Sequence, residues 1–285
     1  MTIQLTRRQH LLTMLGGALY APSLQGTPQT RELQTRFSNQ AVRTELSPKW
    51  VRVTFGGEVI ADSRRVLIVW AGGTPVYYFP EQDVRMDRLT ATNVKTQNER
   101  IGEASYFTVK VGNKAGDSVA WHYPQPQANG PDLRGYVAFK WDQVDGWYEE
   151  GEEVFVHARD PYKRVDVLQS PRKVRVVLGG VTVAESQRPA LLFETGLPTR
   201  YYLPKADVRL DLLRPSDTIT RCPYKGEARY YSIAVGDQIF KDVVWYYRYP
   251  TTECSKIANN LAFYTEKTEA TFVDGQELPK PPGRS

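Results

Sequence analysis

At 285 residues the chain has room for one large domain or two medium ones, each with its own core. It carries 37 lysines and arginines against 32 acids, but residues 1–50 hold six of those cations and only two of the acids, so the remainder is close to neutral. A nucleic-acid binder concentrates basic charge on its folded part, and this chain does not, so nucleic acid is set aside as a partner. Seventeen tyrosines, six tryptophans and ten phenylalanines against three methionines favour a mainly β protein, because aromatic rings suit pleated surfaces. Two cysteines, Cys222 and Cys254, make no disulfide framework, although a single bridge between them is open. Three histidines (His10, His122, His157) and no Cys-x-x-Cys pair leave little for zinc, and no cofactor is expected.

The chain opens on Thr6-Arg7-Arg8-Gln9-His10-Leu11-Leu12, then runs mostly apolar to Ala21, with no acid before Glu32. This is the layout of a cleavable export signal, and it resembles a twin-arginine signal. His10 stands where such signals favour an aromatic, and Pro22 directly follows the cleavage candidate Ala21. An amphipathic helix and an arginine-rich organelle presequence compete with export, and without a signal the protein is cytoplasmic. The run falls short of the ~20 apolar residues of a spanning helix. No integral membrane segment is expected elsewhere. Residues 22–45 read as a polar linker.

From Val51 the chain repeats itself. Val51–Arg65 returns as Val174–Arg188, both with a central Gly-Gly, and Tyr77-Tyr-Phe-Pro80 returns as Tyr201-Tyr-Leu-Pro204. Asp83-Val-Arg-Met-Asp87 returns as Asp207-Val-Arg-Leu-Asp211, Gly102-Glu-Ala104 as Gly226-Glu-Ala228, and Trp121-His-Tyr123 as Trp245-Tyr-Tyr247. One unit of roughly 100 residues is duplicated. The expected organisation is a targeting segment or linker (1–45), a first repeat (46–150), a crossover (151–171), a second repeat (172–275) and a tail (276–285).

Within each copy, short β-branched and aromatic runs predict strands: Val51–Phe55, Val59–Ala61, Val66–Trp70, Ala104–Val111 and Val119–Tyr123. Gly56-Gly57 supplies the positive φ values of a two-residue hairpin, and Val235-Gly236-Asp237-Gln238 marks another. Cys254 to Leu261 is the one helical candidate, with Ile257 and Leu261 four apart. His157–Leu168 is charged, holds Pro161 and lacks Gly and Ser, which predicts an ordered crossover in place of a loose tether.

Tyr201-Tyr-Leu-Pro204, the block Thr220-Arg-Cys-Pro-Tyr-Lys-Gly-Glu-Ala228, Trp245-Tyr-Tyr247, Leu261-Ala-Phe263 and the crossover together resemble the domain of unknown function 427 family in its tandem form, over about residues 48–275. The resemblance implies two β-tent domains, each of two antiparallel sheets with a pocket between them and at most one short helix. Similar tents carry zinc on paired Cys-x-x-Cys motifs that this chain lacks, so the zinc does not transfer. The family has no established activity. Its nucleotidyltransferase label calls for carboxylates gathered on metal ions and a phosphate-cradling loop, whereas Gly179-Gly180 already reads as a hairpin turn.

The copies differ most where Asn98-Glu-Arg-Ile-Gly102 stands against Cys222-Pro-Tyr-Lys-Gly226. Lys225, three residues from Cys222, would favour a reactive thiolate; the competing reading is an inert buried cysteine beside a surface lysine. Asp207 and Asp211 read as a metal-binding pair or, with Arg209, as an ion cluster or turn cap; recurrence in the first copy (Asp83, Arg85, Asp87) favours structure. Tyr202, Tyr224, Tyr230, Trp245 and Tyr247, with Arg188, Arg221 and Lys225, form a candidate aromatic-lined ligand pocket. Three readings follow: a second copy that binds a small organic ligand beside a degenerate first copy packed on it, an enzyme using Cys222, Lys225 or Glu227, and a structural module.

Overall fold

The computed structural model describes residues 42–280 apart from Pro126, Ala128 and Asn129. The candidate export signal and residues 281–285 lie outside the described residues. The first repeat consists of β1 (Arg43–Leu46), β2 (Val51–Phe55), β3 (Glu58–Ser63), β4 (Leu67–Trp70), β5 (Val76–Pro80), β6 (Leu89–Asn98), β7 (Gly102–Val111), β8 (Lys114–His122), β9 (Tyr136–Phe139), β10 (Gly146–Glu149) and β11 (Glu152–Val154). The second runs through β12 (Val165–Gln169), β13 (Val174–Leu178), β14 (Val181–Ser186), β15 (Ala190–Glu194), β16 (Arg200–Leu203), β17 (Leu213–Cys222), β18 (Gly226–Val235), β19 (Gln238–Pro250), β20 (Leu261–Phe263), β21 (Ala270–Val273) and β22 (Gln276–Glu277).

Each repeat pairs a seven-stranded with a four-stranded antiparallel sheet. The orders are β1-β4-β5-β9-β8-β7-β6 with β11-β10-β2-β3, and β12-β15-β16-β20-β19-β18-β17 with β22-β21-β13-β14. Strand for strand these are one topology. The Gly-Gly turns form as predicted, with φ of 60° and 79° at Gly56 and Gly57 and of 55° and 72° at Gly179 and Gly180. Side chains with positive φ are strained, which is why glycine occupies both places.

Alternation along the strands divides the apolar residues into two layers. In the first repeat Val51, Val53 and Phe55 of the small sheet meet Tyr77 and Phe79 of the large one in the main core. Tyr78 points the other way, into a second cluster with Ala104, Tyr123 and Ala138. The second repeat does the same, with Val174, Val176 and Leu178 in the main core and Tyr202, Tyr230, Trp245 and Tyr247 on the outer face of the large sheet.

Among the described residues helical backbone is confined to six short 3-10 turns, and no helix is long and apolar enough to cross a membrane. The helix expected over Cys254–Leu261 is realised as a 3-10 turn at Thr252–Ile257, while Leu261 starts β20. Asn259, at φ 58°, breaks the helical path between them. Buried Cys254 and Ile257 seal the outer cluster of the second repeat.

Candidate functional site

Cys222 pairs with Gly226 at the end of the β17–β18 hairpin, and Pro223-Tyr224-Lys225 form its turn. Gly226 has φ 99°, and a Cβ there would sit 3.0 Å from the Tyr249 carbonyl, so this recurring glycine is required by the frame. The turn is anchored from below. Thr251 Oγ1 donates to the Tyr224 carbonyl at 2.7 Å, and the Cys254 thiol approaches the same oxygen at 3.5 Å.

From above, the turn grips the segment between β11 and β12. Arg159 Nε donates to the Pro223 carbonyl at 2.7 Å, and the Asp160 N–H donates to the Tyr224 hydroxyl at 2.8 Å. The His157 ring lies 5.8 Å from that of Tyr224, and Arg221 covers Phe155 at 4.7 Å. The crossover is ordered, as its composition implied. Its Tyr162 also reaches the first repeat, donating to Glu45 at 2.7 Å and meeting Trp70 edge-on.

Lys225 does not project into an open pocket. Its ammonium donates to Glu194, whose other oxygen is 3.0 Å from Lys163, and the Glu194 side chain is only 5% exposed. Burial alone would raise the Glu194 pKa, but the charges of Lys225 and Lys163 outweigh it and hold the carboxyl below its ordinary value. Burial likewise opposes the Lys225 ammonium, and Cys222 and Glu194 overcome it, so Lys225 titrates above an ordinary lysine. A lysine held protonated is a poor nucleophile. Burial pushes the Tyr224 phenol up to about 12 and raises the Cys254 thiol as well. Both cysteines are free thiols, Cys222 half-buried and Cys254 buried.

The remaining predicted residues divide by whether the first copy repeats them. Tyr202, Tyr230, Trp245 and Tyr247 are 0–6% exposed and fill one another's space. Trp245 Nε1 donates to the Tyr202 hydroxyl at 3.1 Å, as Trp121 does to Tyr78 at 3.2 Å. Tyr230 meets Thr220 at 2.8 Å, as Tyr106 meets Thr96 at 2.9 Å. Arg188 closes on Asp207 and Arg65 on Asp83, both at 3.0 Å. Arg209 takes Asp211, as Arg85 takes Asp87. Asp207 and Asp211 therefore answer to different arginines across two 3-10 turns and do not form the single Asp–Arg–Asp cluster that a strand would give.

The geometry adds a groove of whose lining the sequence singled out only Glu227. Glu227, Arg229, Tyr246, Arg248 and Tyr249 line a groove of about 540 Å³ on the other face of β18 and β19. Arg229 lies directly across from Tyr246, and alternation brings Glu227 and Arg248 to the same face. Glu227 binds Arg229 at 2.9 Å and Arg221 at 3.4 Å. By register, Arg221, Arg229 and Tyr246 correspond to Gln97, Ser105 and His122 in the first copy, and Arg248 and Tyr249 follow as Pro124 and Gln125. The signal was present in the sequence as a second set of differences between the copies.

The chain belongs to the family described as a domain of unknown function (DUF427), which matches it twice, over residues 43–150 and 166–274. No curated protein matches it.

Proposed function

We propose that the second repeat binds a small organic ligand in the groove of Glu227, Arg229, Tyr246, Arg248 and Tyr249. One observation carries this reading: the groove combines two guanidinium groups with two tyrosines, and every member except Glu227 is replaced in the first copy. Frame residues recur in both copies, whereas these do not. A thermal-shift screen of metabolites against the full chain tests it, since a ligand of the native state raises the melting temperature. Hits should lose their shift in Tyr249→Ala and Arg248→Ala. Hits that persist unchanged in both variants would show that the groove is not the site.

In this reading the Cys222-Pro-Tyr-Lys225 turn serves the ligand site from behind. It docks the crossover, and Tyr162 of that crossover reaches Glu45 and Trp70 of the first repeat. Lys225, held protonated against Glu194, favours this supporting role over that of a nucleophile. Nucleotidyl transfer through Asp207 and Asp211 is disfavoured because each carboxylate is already bound to its own arginine.

A further inference from the structure

We infer that the groove selects a planar organic anion, an aromatic ring bearing a carboxylate or a phosphate; this rests on the groove being a ligand site. Among its lining residues Arg229 and Arg248 face a single acid, Glu227. That carboxylate is shared between Arg229 and Arg221, so its charge is already matched. Arg248 makes no ion pair among the described residues, and its guanidinium lies 5.3 Å from the centre of the Tyr249 ring. Lys205 adds an ammonium 5.5 Å from the Tyr246 ring. A guanidinium offers carboxylate or phosphate a planar fork of donors, and it does so without losing its own charge.

The ring requirement comes from the tyrosines. Tyr249 is 77% exposed, and a face so open beside a guanidinium is available for stacking. Tyr246 is held in place by Tyr231, which stacks on it at 5.1 Å with planes 17° apart. A cationic aromatic would meet an excess of positive charge here, and a neutral one would leave the guanidinium groups unused. The first copy, with Ser105, Pro124 and Gln97 at the arginine positions, has neither the charge nor the exposed ring.

Calorimetric titration of the full chain with phenyl phosphate, benzoate, benzyl alcohol, benzamidine and inorganic phosphate tests the assignment. At least one of the two aromatic anions should bind about tenfold tighter than the other three probes, and the pair reports which acidic group is preferred. Its affinity should fall with added salt and drop about tenfold in Arg248→Gln. Both Arg248→Gln and Tyr249→Ala alter exposed side chains, and unchanged melting temperatures would tie lost affinity to the groove. Benzyl alcohol or benzamidine binding as tightly, with the binding lost in Tyr249→Ala, would overturn the anion class and leave the groove a ligand site. Inorganic phosphate matching phenyl phosphate would overturn the ring requirement. Binding by none of the probes would overturn this inference, while the groove reading would stand or fall on the metabolite screen and its two variants.

Discussion

The turn at Asn98–Gly102 and the turn at Cys222–Gly226 occupy the same place in the same topology, yet they solve different problems. In the first, the Asn98 side chain accepts the N–H groups of Arg100 and Ile101 and closes the turn on itself. Ile101 is buried in the outer cluster, against which Ala71 packs. In the second, Lys225 and Glu194 stand in those two places, an ion pair where the other copy is apolar. The difference is in what each turn holds: the second holds the crossover, whereas the first holds a loop of its own copy, with the Gln127 side chain donating to the Glu99 carbonyl at 2.9 Å. The first copy is not simply degenerate, however. It buries its own carboxylate, Glu149, on Lys49 and the Tyr77 hydroxyl, at a position that register equates with Val273. Each copy departs from the common frame in its own place.

Removing Glu194 should have the largest effect. Glu194→Gln leaves Lys225 and Lys163 facing an uncharged partner, and the fold should lose about 3 kcal/mol in urea denaturation. Lys225→Met should cost less, because Lys163 still neutralises the acid. Glu194→Ala with Lys225→Ile installs the residues of the first copy, and the pair should cost less than the sum of its single changes. An additive result would mean that the ion pair is not the unit described.

The same ion pair makes stability depend on pH. The folded pKa of Glu194 lies below its ordinary 4.5, so its contribution is complete above that value and is lost as pH falls through the folded pKa. The stability gap between wild type and Glu194→Gln should therefore be flat near neutrality and shrink in acid below 4.5. Lys225 is shifted upward, so its share is complete below 10.5 and fades as pH rises beyond the folded value. A gap that is constant down to the acid limb would refute the charge assignment.

A smaller effect is expected at the clamp itself. Tyr224→Phe removes the acceptor of the Asp160 N–H and should cost about 1 kcal/mol. Limited proteolysis should then cut sooner within residues 155–164, because local opening precedes cleavage. An unchanged cleavage rate would argue that the crossover is held without Tyr224. Smallest of all, Arg188→Ala and Arg65→Ala disrupt matching exposed ion pairs and should leave the melting temperature within error in both copies. A large loss in one copy only would mark that pair as more than frame.

The duplication, the β class, the Gly-Gly turns and the ordered crossover were all legible in the sequence. These are local or repetitive properties: φ preferences at glycine, alternation of side chains, and identity between two stretches of one chain. It also marked Cys222–Lys225 as the divergent turn. It did not say what that turn touches. Glu194 is 31 residues from Lys225 and Asp160 is 64 from Tyr224, and only the closed sheets bring them together. The groove illustrates the same limit. Tyr230 and Trp245 attract notice as rings, and Arg229 and Arg248 do not, but strand alternation turns the rings into the sealed layer and the arginines to the opposite face, where they line the groove. Which face of a strand is covered depends on what packs against it, and that is decided by tertiary structure.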